Sequence, residues 1–241
     1  MNFLVVPKKK LFEEFPPVSS KEWEEAISKS LKGREVESLN WDTDEGFEIN
    51  PFYRKNNTSE TVSSQLVTQN SEQSEERTIK IETEKEKITA QLLQCLLEGK
   101  EQMKKGAKAE EIQFTFPLGQ SFFIEVSKLK AFRILWAKLT EIPAHILCYI
   151  TSELQENEGQ QFIQNTTKAL SAIIGGADNI SFHPVNEFTD RVNQNIVRIA
   201  QHESFLYQVT NSTSGSYYIE AITEKLIKKV WENFARERDT N

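Results

Sequence analysis

Three histidines, two cysteines and a single glycine pair are the residues of this 241-residue chain with the types and settings for chemistry. His183 ends a β-branched and aromatic run and is followed by Pro184, Asn186 and Glu187. An imidazole there could serve as a general base, but the SFHPVNE segment reads first as a capping or packing turn. His145 opens a second such run and His202 sits on a helical pattern beside Glu203; both read as structural positions. No Cys/His spacing matches a zinc ligand pair. Gly175-Gly176 follows a helical pattern, whereas phosphate loops follow a strand and open a helix, so it reads as a helix stop. Glu82, Glu84 and Glu86 alternate with lysines and read as a solvated helix start. No carboxylates are paired by spacing. The aromatics Phe114, Phe116, Phe122, Phe123, Phe132 and Trp136 read as core or interface rather than a cofactor slot. The expectation is therefore no catalytic residue, no metal site and an undefined cofactor site.

Composition narrows the partners. A net charge of −7 disfavours nucleic acid and anionic membranes. Hydrophobic residues are 38% of the chain, low for a compact enzyme of this length. No apolar run reaches the roughly 18 residues of a membrane span. Cys95 and Cys148 lie in apolar patterns and read as buried free thiols in a reducing, cytoplasmic setting.

Three zones must position these residues. Residues 1–55 read as an extended arm with one helix, opened by a Ser19/Glu22 capping box, carrying Trp23, Ile27 and Leu31, and stopped at Gly33. The rest of the arm reads as turns at Pro16-Pro17, Asp42–Gly46 and Asn50-Pro51. Its scattered Phe12, Phe15, Trp23, Trp41, Phe52 and Tyr53 have little core of their own and are candidate interface residues. Residues 56–77 read as a polar linker rich in Ser, Thr, Asn, Gln and Glu. From residue 78 to 241 a period appears. Strand-like runs begin at Thr78, Ile112, His145 and Asn179, spaced 34, 33 and 34 residues apart, each followed by a helical stripe. In Ile112–Ala137 the stripe is Phe122, Val126, Leu129, Phe132 and Trp136; a last helix carries Ile222, Leu226, Val230 and Phe234.

A repeating strand–helix unit of this length builds a parallel α/β sheet. A closed TIM-type barrel needs eight units. Four units imply a half-barrel, with an unpaired edge and an uncovered apolar face that call for a partner chain.

The chain resembles the methylmalonyl-CoA mutase family, specifically its small, non-catalytic subunit. Four stretches carry the resemblance: Phe12–Gly33 with Leu39–Thr43 and Pro51-Phe52-Tyr53; Phe114, Gly119, Phe122-Phe123, Glu125, Lys128-Leu129, Ala131, Arg133 and Leu135-Trp136-Ala137; Thr166–Ala172 with Gly175-Gly176-Ala177-Asp178; and Arg191, Asn195, Glu203-Ser204 and Gly215–Glu220. The resemblance implies an eight-stranded barrel threaded by an acyl-CoA and capped by an adenosylcobalamin domain. It also implies that the Ser212–Ser216 turn is structural rather than an anion site. The departures are as informative. A polar stretch stands where the family has its first half-barrel. Ile81-Glu82-Thr83 stands where catalytic subunits carry a Tyr-His pair, and the apolar Ile146–Ile150 run where they carry CoA-binding Arg and Ser. No Asp-x-His-x-x-Gly cobalt-ligand motif occurs. The resemblance thus implies a shortened small subunit that binds no cofactor itself and supports a large catalytic subunit as a heterodimer, or self-associates through its open barrel edge. The half-barrel would supply the dimer surface and the arm would wrap the partner. Two other readings stand beside it: an acyl-CoA mutase acting with a separate cobalamin chain, and a stand-alone interaction or assembly module.

Overall fold

The computed structural model describes residues 14–16, 18–54, 77–82, 85–151, 158–183, 185–208 and 211–240. Two compact units emerge, one of residues 1–42 and 48–51, the other of 43–47 and 52–241. The expected linker, 56–77, lies outside the described residues except for Arg77.

In the first unit, helix α1 (Ser20–Ser30) starts at the Ser19/Glu22 capping box, Glu22 N–H donating to Ser19 Oγ at 3.2 Å and Ser19 N–H to Glu22 Oε2 at 2.9 Å. The Ser19 N–H and hydroxyl, both donating to Glu22 Oε2, hold the Glu22 carboxyl below its ordinary pKa. No residue of α1 is buried; Trp23 and Ile27 are half-covered. A short 3-10 helix, Val36–Leu39, follows. The arm then forms a hairpin of β1 (Trp41–Thr43) and β2 (Phe47–Ile49), its turn closed by Gly46 at φ +79°. The turn expected at Asp42–Gly46 is there at residues 44–46, and the two strands beside it are additional: three-residue strands are too short for a period to show.

In the second unit, β3 (Arg77–Lys80), β4 (Ile112–Pro117), β5 (His145–Ile150) and β6 (Asn179–Phe182) form one parallel sheet in the order β3-β4-β5-β6. The helices between and after them are α2 (Ile88–Lys104), α3 (Phe122–Thr140), α4 (Glu158–Gly175) and α5 (Glu187–His202), and α6 (Tyr217–Thr240) ends the chain. This is an α/β fold with four parallel strands, a partial TIM-type barrel.

The sheet's helix-covered face carries Ile79, Ile112, Phe114, Phe116, Ile146, Cys148 and Ile150, all at most 3% exposed. Phe114 meets Phe132 and Trp136 edge-on, with ring centroids 4.6 and 4.7 Å apart. Gly99 of α2 is required there, because a Cβ would lie 2.6 Å from the Trp136 ring. Helix α2 lacks a side-chain cap from its own preceding residue, Lys87. Its first N–H groups are satisfied instead by Glu45, whose carboxylate accepts from Ile88 N at 2.6 Å and Thr89 N at 2.8 Å, a favourable charge at a helix N-terminus.

Two expectations change. Helix α3 is not a one-faced amphipathic helix: every residue from Ile124 to Arg133 is buried. Its second face is covered by α6, whose Ile222, Leu226 and Val230 are fully buried. Of the aromatics expected as core or interface, Phe122 is half-covered and Phe123 49% exposed. The open face of the sheet is also not apolar. It presents Thr78 and Lys80 of β3, Gln113 and Thr115 of β4, His145, Leu147 and Tyr149 of β5, and Asn179 and Ser181 of β6. Side chains alternate along a strand, so the face away from the helices is set by the intervening residues of IQFTF and HILCYI.

Two stability effects test this packing. Gly99→Ala, stabilising by helix propensity alone, is expected to destabilise by about 1–3 kcal/mol through the clash with Trp136, read as a lowered urea midpoint. Cys95 and Cys148 are fully buried and free, and burial pushes both thiols up. The native state therefore holds thiol protons that the unfolded chain releases above about pH 8.5. Stability should be unaffected by these thiols below that pH and fall above it, with no thiol reacting with a disulfide reagent until the chain is denatured.

Candidate functional site

The polar sheet face and the charged groups beneath it are where function would reside. Hydrogen bonding in the parallel ladder sets residues side by side in rows: Thr78, Gln113 and His145; then Lys80, Thr115, Leu147 and Asn179; then Pro117, Tyr149 and Ser181. Thr78 Oγ1 lies 3.5 Å from Gln113 Oε1, and His145 Nε2 3.4 Å from Asn179 Nδ2. At the C-terminal ends of the strands, where barrels carry their sites, His183 anchors its N–H on Ile150 O at 2.9 Å. Its ring Nδ1 lies 2.7 Å from Tyr149 Oη. Lys80 stands 5.9 Å from the Tyr149 ring centroid and pairs with exposed Glu82 at 3.3 Å, a contact worth at most about 1 kcal/mol.

This arrangement can bind and orient polar groups. It is not a nucleophilic triad: among the described residues no serine or cysteine stands against the His183 imidazole. Nor, among them, do three or more His, Cys, Asp or Glu gather to hold a metal ion. The donors do not fit a corrinoid either. A corrinoid would need a concave wall that encloses most of its ring. Here His183 engages Tyr149 on an open face of Thr, Gln, Asn and Ser, His145 sits beside Asn179, and His202 stands exposed at the end of α5. No cobalamin step is derived from this chain.

Beneath the sheet, α3 carries a set of buried charges on the sides its apolar stripe does not occupy. Arg133 Nη2 pairs with Asp178 Oδ2 at 2.7 Å, and Arg133 Nε donates to Gly176 O at 2.7 Å. The same Asp178 oxygen accepts the Ile146 N–H at 2.8 Å, and Asp178 N–H donates to Ile146 O. One carboxylate thus ties α3 to the start of β5 and to the entry of β6. Higher on α3, Lys128 Nζ pairs with Glu125 Oε2 at 2.5 Å and donates to Pro117 O at 2.7 Å. Gly119 allows this, since a Cβ there would come within 2.9 Å of Glu125 Oε1. Lys130 Nζ reaches Asn211 Oδ1 at 3.2 Å and also Thr213 Oγ1, tying α3 to the loop before α6. Burial pushes the Lys130 amine down, against a raising influence from Glu220.

The expected interface residues are placed as follows. Phe12 lies outside the described residues. Phe15 is 66% exposed, Trp41 49% and Phe52 47%; Trp23 and Tyr53 are half-buried. Tyr53 Oη accepts from Lys225 Nζ at 3.0 Å and its ring meets Tyr218 edge-on at 5.7 Å. Burial and the neighbouring Tyr53 push the Tyr218 phenol up. Gly175-Gly176 ends α4, with Gly176 at φ +87°, as a helix stop. In the Ser212–Ser216 turn, Gly215 N–H is taken by Glu220 Oε1 at 2.8 Å. Among the described residues no helix is long and apolar enough to cross a membrane.

The Arg133–Asp178 pair yields a test. Removing one partner of a buried, hydrogen-bonded ion pair costs about 3–5 kcal/mol, whereas replacing both with apolar groups is far milder. Asp178→Ala is expected to show that loss in urea unfolding, with Arg133→Met/Asp178→Leu recovering much of it. Equal losses in the single and double variants would contradict the pairing.

Comparison with known proteins agrees with this scaffold. The sequence model of the family described as methylmalonyl-CoA mutase matches residues 96–239. A methylmalonyl-CoA mutase of Rhizobium meliloti (strain 1021) is 27% identical over 141 residues, covering 51% of this chain and 20% of that protein. A methylmalonyl-CoA mutase small subunit of Porphyromonas gingivalis is 27% identical over 179 residues, covering 63% of this chain and 29% of that protein. A methylmalonyl-CoA mutase small subunit of Streptomyces virginiae is 27% identical over 140 residues, covering 52% and 23%. The chain thus spans between a fifth and a third of the length of these relatives.

Proposed function

The chain belongs to the methylmalonyl-CoA mutase family, and from that premise we propose that it is a shortened, non-catalytic small subunit supporting a large catalytic mutase subunit. One observation carries the reading. The family-type residues it retains, Gly119, Glu125, Lys128, Arg133, Gly176 and Asp178, are engaged with one another and with backbone inside the scaffold. Residues kept for buried support and absent for chemistry describe a subunit whose work is structural. The relatives named as small subunits support the same assignment.

In this reading adenosylcobalamin and the acyl-CoA chemistry belong to the large subunit. The arm, residues 1–55, and the polar linker, 56–77, are extensions of the partial barrel at 78–241. Phe12, Phe15, Trp23, Trp41, Phe52 and Tyr53 form the surface offered to the partner. The half-covered stripe of α1 supports this, because an arm helix with no buried residue gains its burial elsewhere. Two free, buried thiols fit a reducing, cytoplasmic setting.

Co-expression with a tagged large methylmalonyl-CoA mutase subunit tests the proposal. The chain should co-elute with it on size exclusion, and Trp23→Ala/Trp41→Ala should weaken the complex at least about tenfold, the loss of one aromatic anchor being worth 1.4 kcal/mol or more. A folded chain that elutes apart from the large subunit contradicts it. Methylmalonyl-CoA turnover by this chain with a free cobalamin domain and no large subunit would transfer the assignment to the catalytic reading.

A further inference from the structure

The two ends of the four-stranded sheet differ in a way that points at each other. Among the described residues, β3 at one end pairs on one side only, with β4. The helix beside it, α2, presents an open groove of Ala90, Leu93 and Leu97 flanked by Glu86 and Glu98. At the other end, again among the described residues, β6 pairs only with β5. The helix after it, α5, presents Phe188 and Ile199, 50% and 49% exposed, with half-covered Val192 between them. Arg191 and Arg198 are exposed on the same face, Arg191 lying 5.8 Å from the Phe188 ring centroid. Each edge strand is four residues long. Glu86 and Glu98 thus flank the apolar groove of one end, beside Lys85 and Lys87, and Arg191 and Arg198 flank the apolar stripe of the other, beside Glu187.

We infer that the occupant of both ends is a second copy of this chain, closing an eight-stranded parallel barrel. A two-fold axis parallel to the strands keeps all eight running the same way and sets β6 of each copy beside β3 of the other. The same rotation lays α5 of each copy next to α2 of its partner, because in a right-handed strand–helix repeat the helix after a strand overhangs the following strand. The arginines then face the glutamates twice, once at each junction. Eight strands is the number at which a parallel sheet closes, so the assembly stops at two and leaves no edge. The largely polar rows from Thr78 to Ser181 are turned inward, which accounts for a parallel sheet whose second face, among the described residues, is neither covered by helices nor mainly apolar. This inference is independent of the large-subunit reading, since it concerns the chain with itself and leaves the arm aside.

Sedimentation velocity on the full chain tests it through charge reversal. The unaltered chain should sediment at twice its 27.8 kDa mass. Arg191→Glu/Arg198→Glu alone and Glu86→Lys/Glu98→Lys alone should each weaken self-association at least about tenfold while keeping the circular dichroism of the parent. Mixing the two variants should restore a dimer, because both junctions of the mixed pair then carry opposite charges. A monomeric parent at micromolar concentration, a dimer indifferent to either reversal, or growth past two copies into open chains each overturns the inference. Binding to a large subunit is scored separately, so either proposal can fail without the other.

Discussion

Burying a charged helix on every side is the constraint that the rest of this structure serves. Helix α3 places Glu125, Lys128, Lys130 and Arg133 out of solvent, and each such charge costs several kcal/mol unless fully partnered. The partners are drawn from far along the chain. Asp178 and Gly176 answer Arg133, Pro117 O and Glu125 answer Lys128, and Asn211 and Thr213 answer Lys130. The same groups fix the entry to β6, the turn after β4 and the loop before α6. A strand order, a turn and a helix docking are thus set by polar contacts to one helix, with Phe114, Phe132 and Trp136 filling the space between.

That concentration gives a physical reason for the residues that carry the family resemblance. Family-type residues such as Gly119, Lys128, Arg133 and Asp178 are the ones that make α3 tolerable inside a protein. Their role in this chain is to support the buried helix, whatever chemistry is done elsewhere. The sheet face that would do chemistry holds hydroxyls, amides, one imidazole–phenol contact and one exposed ammonium, and no cluster that generates a nucleophile or holds a metal ion among the described residues. Among the described residues, what stands open are the outer edges of β3 and β6 and exposed arm aromatics such as Phe15, Trp41 and Phe52.

Much of the fold could be read from local pattern. The Ser19/Glu22 capping box, the strand starts at Ile112, His145 and Asn179, and the stop at Gly175-Gly176 depend on residues a few positions apart, and local sequence carries that information. What could not be read depends on distant partners. Glu45 caps α2 across 43 residues. The polar side of α3 looked like a solvent face because the helix that covers it, α6, begins more than 75 residues after α3 ends. The three-residue strands of the arm hairpin were too short to produce a period. The open face of the sheet was read as apolar from the fold type, although the alternation in IQFTF and HILCYI already marked every second residue as different.

The central claim is that this chain is an incomplete barrel, whose stability lies around α3 and whose edges are completed by another chain. Amide hydrogen exchange of the assembled protein, compared with the chain alone at high dilution, tests it most directly. The account predicts slow exchange in β4 and β5 in both states, and slow exchange in β3 and β6 only in the assembly. Edge amides in β3 and β6 that exchange equally fast in both states would contradict it.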